Sequence, residues 1–86
     1  MIIKIYLTKE ATSALRRTIK ENGECIVNVA IKDDCAKITL TYDTKQKCIS
    51  DFRHISDHGY RLGNPLDDSH IFIPLSSIAL MEVVSN

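Results

Sequence analysis

Residues 51–70, "DFRHISDHGYRLGNPLDDSH", hold all three histidines of the chain and four of its eleven acidic residues. That density raises metal binding and acid–base chemistry first. His54 and His58 stand four apart, so on a helix they would share one face and could hold a metal with Asp57 or His70 beside them. On a hairpin the same pair would be split. "SDHG" has turn composition and lies between strand-like runs, which places His58 in a turn and His54 on a strand, both as solvated residues. The Asp57-His58 pair also has the residue types of an oriented general base, for which Ser50, Ser56, Ser69 or Cys48 would have to be the nucleophile. Neighbours on an extended chain point to opposite faces, and no glycine-rich elbow, phosphate loop or cofactor fingerprint accompanies them. The expectation is a non-enzymatic protein without metal or cofactor.

The cysteines support the same reading. Cys25 shares the apolar side of its segment with Val27, Val29 and Ile31, as a core residue would, and Cys35 follows Asp33 and Asp34, whose charges disfavour a thiolate. With Cys48 they are three, an odd count without a CxxC pair or zinc-knuckle spacing. Reduced thiols in a cytoplasmic protein are expected. "MIIKIYLTKE" places one lysine within a short apolar run that stops at Thr8, which predicts neither a signal peptide nor a membrane span.

Charge narrows the partner. Eleven Lys and Arg balance eleven Asp and Glu, so no whole-molecule field gathers nucleic acid or an anionic membrane. Locally, residues 1–20 carry Lys4, Lys9, Arg16, Arg17 and Lys20 against Glu10 alone. Arg16, Arg17 and Lys20 fall on the polar side of a helix, where they would meet an acidic protein surface or phosphates; cations near a helix C-terminus also favour its dipole. Scattered aromatics and the absence of tryptophan make a base-stacking surface thin.

The elements that must position these residues follow from periodicity. "IIKIYL" alternates as a strand, and Thr8 offers an N-cap to an amphipathic helix over Lys9–Glu21, stopped at Asn22-Gly23. "ECIVNVAIK" and "AKITLTYD" alternate and are joined at Lys32–Cys35, which predicts an antiparallel hairpin. "DTKQK" reads as a polar link, "CISDFRHI" as a strand, "YRLG" as a short strand, and "NPLDDS" as a proline turn. "HIFIPL" and "IALMEVV" are the last two strands, with "PLSS" as a kink or single helical turn between them. The length allows one domain over residues 1–86. The fold class expected is α+β, one amphipathic helix packed on a strongly bent antiparallel sheet or a small, partly open barrel.

"ALRR" before the first barrel strand, "VNVAIKDDCAKITLTYD" ending in Tyr42-Asp43, and the closing "HIFIPLSSIALMEVV" give an element order that resembles the Sm-like and SH3-like small barrels over roughly residues 11–84. The resemblance implies an RNA-binding regulatory protein and a homo-oligomer whose edge strands pair with other chains. The strand at residues 2–7 is additional to that pattern, and its RNA-reading asparagine and glycine-rich motifs are absent.

These observations favour a protein partner over nucleic acid, and a small regulator or inhibitor of the host-directed kind that phages and mobile elements encode. Its expected contact residues are Arg16, Arg17 and Lys20 on the helix, with Phe52, Arg53, Tyr60 and Arg61 as aromatic and arginine anchors on a hairpin.

Overall fold

The computed structural model describes residues 1–22, 28–64 and 67–85; for residues 20–22, 64 and 67–69 the backbone alone is described. In chain order the elements are β1 (Ile2–Leu7), α1 (Lys9–Asn22), β2 (Val29–Lys32), β3 (Cys35–Thr41), α2 (Lys45–His58), β4 (Tyr60–Asn64), β5 (Asp67–Ile73) and β6 (Ile78–Val84). A single 3-10 turn, Leu75–Ser77, precedes β6, where the sequence predicts a kink.

β1 alternates as expected, burying Ile3, Ile5 and Leu7 and leaving Ile2, Lys4 and Tyr6 partly exposed. It occupies the middle of an antiparallel sheet of order β2-β3-β1-β6. Ile5 is flanked by Ile38 and Met81, and Ile3 by Leu40 and Val83, so directly opposed residues build one apolar face. Both helices lie on that face, with Leu15 from α1 and Cys48 and Ile55 from α2 completing the core. α1 joins β1 to β2 across β3, and α2 leads from β3 toward β6 across β1. Apart from the β4–β5 hairpin inserted before β6, this is the split βαβ arrangement.

α1 starts where the sequence predicts, because the Thr8 hydroxyl accepts the Ala11 N–H at 3.2 Å. Thr12, only 1% exposed, faces inward beside Ala11 and Leu15. Its hydroxyl accepts the Ala36 N–H at 2.9 Å and ties the helix to β3. The expected hairpin is present as β2–β3, with Asp33 in the left-handed region at φ 57° where a short polar side chain is tolerated.

The expectation fails at residues 45–58. The segment predicted as a polar link and a strand is one helix, α2, so the sheet carries two helices rather than one. Thr44 caps it by accepting the Lys47 N–H at 3.3 Å. Cys48, Phe52 and Ile55, spaced by four and three, form its inward stripe, whereas a strand reading would have alternated Cys48 with Ile49. Gly59 ends it at φ 89°, donating its N–H to the Ile55 carbonyl. A Cβ there would sit 2.6 Å from the Ile73 carbonyl oxygen, so both conformation and space require glycine.

β4 and β5 form a separate two-stranded sheet, with Leu62 and Ile73 buried and Tyr60 and Ile71 against the core. The four-stranded sheet remains open, with β2 and β6 at its edges, and is not closed into a barrel. Cys25, the Gly23 stop and the Pro65 turn lie outside the described residues. Among the described residues no helix is long and apolar enough to cross a membrane.

Candidate binding groove

Helical geometry gives α2 a polar side that the strand reading would have scattered. Asp51, His54 and His58 recur at three and four residues and turn toward the hairpin. With Leu40 of β3, Tyr42 just beyond it, Ile55 of α2, and Tyr60, Arg61 and Phe72 of the hairpin, they line a groove of about 590 Å3. An adjoining basin of about 580 Å3 shares Leu40, Tyr42 and Asp51 and extends to Asn28, Thr44 and Lys47. The shared residues place the two side by side, with a lining that mixes polar and apolar side chains.

A hydrogen bond lies where the two meet. The Tyr42 hydroxyl donates to Asp51 Oδ2 at 2.8 Å, linking the chain after β3 to the second turn of α2. Burial, and then the bond to the Asp51 carboxylate, push the Tyr42 pKa well above its ordinary 10.0. Burial also raises that of Tyr60, with the Asn28 side chain partly offsetting it. Both phenols are therefore neutral at physiological pH, with Tyr42 the donor to Asp51.

The rings of His54 and His58 stand 4.8 Å apart at a 48° tilt, side by side on α2 rather than divided between turn and strand. Among the described residues no group of three His, Cys, Asp or Glu side chains is placed to hold a metal ion. Of the nucleophile candidates, Cys48 is fully buried on the inner side of α2 and Ser56 donates its hydroxyl to the Phe52 carbonyl at 2.7 Å; Ser50 is exposed on α2, and the Ser69 side chain lies outside the described residues.

The predicted contact residues divide. Tyr60 and Arg61 line the groove from β4. Phe52 and Arg53 belong to α2 and not to a hairpin: Phe52 packs toward the core and Arg53 is exposed away from the groove lining. On α1, Arg16 donates to the Asp33 carbonyl at 2.6 Å and so braces the β2–β3 turn, while Arg17 is exposed. The Lys20 side chain lies outside the described residues.

Leu40, Tyr42, Asp51, Ile55 and Phe72 are groove residues absent from the expected contact set, and Phe72 is the most exposed apolar one. It pairs with Arg61 across the hairpin and is 60% exposed. Alternation in "HIFIP" carries the signal: with Ile71 and Ile73 turned inward, Phe72 must turn out. The chain matches no protein-family model, no curated protein and no solved structure.

Proposed function

We propose that this chain is a small non-enzymatic binding protein that regulates or inhibits a protein partner in the cytoplasm, by receiving a segment of that partner in the groove between α2 and the β4–β5 hairpin. The exposed Phe72, paired with Arg61 across the hairpin and lining the groove together with Leu40, Ile55 and Tyr60, carries the reading. An exposed aromatic–arginine pair beside apolar groove residues has the composition of an interface hot spot. Asp51 accepts the Tyr42 hydroxyl, and Arg61 contributes a guanidinium to the groove lining. The segment it suits is apolar with one carboxylate placed to meet Arg61. A host-directed product of a phage or mobile element would act in this way, through surface complementarity.

Selection from a random peptide display library tests the reading. It predicts enrichment of peptides with apolar residues beside Asp or Glu, and a loss of roughly tenfold or more in affinity for Phe72→Ala and for Arg61→Ala. Selected peptides that bind both variants as tightly as the parent protein overturn it.

A second reading, RNA binding, keeps the likeness to Sm-like barrels and has one observation in its favour. On the sheet face away from the helices, Lys37 stands directly opposite Tyr6, with Lys4 two residues along. Glu82 opposes Lys4 and accepts the Tyr6 hydroxyl at 3.0 Å, which weakens this face as an anion platform. Affinity for single-stranded RNA that falls steeply with salt and is lost in Lys4→Ala/Lys37→Ala would favour it; salt-independent or undetectable binding removes it.

A further inference from the structure

The two edges of the four-stranded sheet are built differently. β2 is four residues long and runs into Lys32, Asp33 and Asp34, a short edge with a charged tip of the kind that resists pairing with another chain. β6 has seven residues, "IALMEVV", and Glu82 is the one ionisable side chain among them. β1 occupies one side of β6; Ile78 donates its N–H to the Leu75 carbonyl of the 3-10 turn, and among the described residues no backbone hydrogen bond outside the sheet ladders involves residues 79–84. That outer row of amide and carbonyl groups is flanked by apolar side chains on both faces. Leu80, 59% exposed, lies on the face away from the helices, and Val83, 38% exposed, lies on the helix face. Exposed Leu75 precedes them in the 3-10 turn. The bulge that skips Ala79 is the sole irregularity in the β1–β6 pairing, and it leaves Leu80–Val84 as a regular edge.

We infer that β6 pairs antiparallel with β6 of a second copy about a twofold axis normal to the sheet, doubling the four-stranded sheet into one continuous sheet. Charge selects a second copy as the occupant. The chain has zero formal net charge, so two copies do not repel as wholes, and the edge offers a different partner almost no charge pattern to recognise. An identical strand is apolar on both faces and so matches it on both. In an antiparallel pair opposed residues share a face, so the axis must pass through a residue rather than between two. An axis at Met81 sets Glu82 against Leu80 of the second copy and keeps the two carboxylates apart, with Leu80–Glu82 paired in the regular part of the edge and Val83 and Val84 reaching Ala79 and Ile78 at the bulge; an axis at Glu82 would oppose the carboxylates directly. The groove lies at β3, α2 and the hairpin, with β1 between β3 and β6, so the pairing leaves one groove open on each copy. The inference therefore stands independently of what the groove binds.

Sedimentation equilibrium from micromolar to millimolar concentration tests it. The expected result is a species of twice 9.7 kDa that dissociates on dilution. Leu80→Glu/Val83→Glu alters two exposed side chains, sets a carboxylate opposite Glu82 of the second copy, and should weaken the dimer by roughly tenfold or more, with an unchanged far-UV spectrum. Amide exchange supplies a readout that needs no substitution: amides within Leu80–Val84 should exchange more slowly at high than at low protein concentration. A wild-type monomer throughout, a dimer indifferent to the double substitution in a folded protein, or β6 exchange independent of concentration would each overturn the inference.

Discussion

The Tyr42 hydroxyl reaches Asp51 Oδ2 at 2.8 Å, across the turn that joins β3 to α2. Those two side chains line both the groove and the adjoining basin, so this one bond fixes α2 to the end of β3 where the two meet. It uses one acceptor site of the Asp51 carboxylate, which lines the groove with Arg61 and the aromatic rings.

Tyr42→Phe removes the donor while retaining the ring. A hydrogen bond to a charged group is worth about 1.5–3 kcal/mol when well sheltered, and this one is part-buried, so a loss toward the lower end is expected in denaturant unfolding. Affinity for a groove ligand should fall as well. Unchanged stability would mean that the bond does not organise the turn.

Thr12→Val keeps the volume of a buried side chain but leaves the Ala36 N–H without its acceptor. The expected cost is about 1–3 kcal/mol, with Thr12→Ser retaining most of the stability because its hydroxyl can still accept. Equal melting temperatures for Thr12→Val and wild type would show that the hydroxyl is dispensable.

Gly59→Ala places a Cβ against the Ile73 carbonyl oxygen at a φ that L residues rarely adopt. Destabilisation by more than about 1 kcal/mol is expected, together with a changed groove, since Gly59 lines it. Thermal unfolding measures the first effect and ligand titration the second.

The tyrosines predict an alkaline limit. Folding raises the pKa of Tyr42 and of Tyr60, in both cases chiefly through burial, so the folded state favours the protonated phenols. Their contribution is fully present below the ordinary value of 10.0 and is lost as pH rises beyond it toward the folded values. Unfolding free energy should therefore decline above about pH 10, and less so in Tyr42→Phe. A variant with the same alkaline slope as wild type would contradict this.

Local pattern made much of the fold legible. β1, α1, the β2–β3 hairpin and the turn before β6 follow from alternation, the Thr8 cap and the two aspartates at Asp33-Asp34. α2 was hidden because Cys48, Ile49, Phe52 and Ile55 satisfy a strand's composition as well as a helix's stripe. The deciding marks were Thr44 and Gly59, a cap and a stop fifteen residues apart, which outweigh the turn-like "SDHG". Misplacing that helix also misplaced Phe52 and Arg53, and it separated His54 from His58. Strand order was not accessible to periodicity at all: nothing in "IALMEVV" alone distinguishes a central strand from the exposed edge that it forms.

Amide chemical-shift mapping with a display-selected peptide tests the groove most directly. Perturbations should concentrate at Leu40, Tyr42, Asp51, Ile55, Tyr60, Arg61 and Phe72 and vanish in Phe72→Ala. Shifts centred instead on Tyr6, Lys37 and Leu80, on the sheet face away from the helices, would contradict the groove as the binding site.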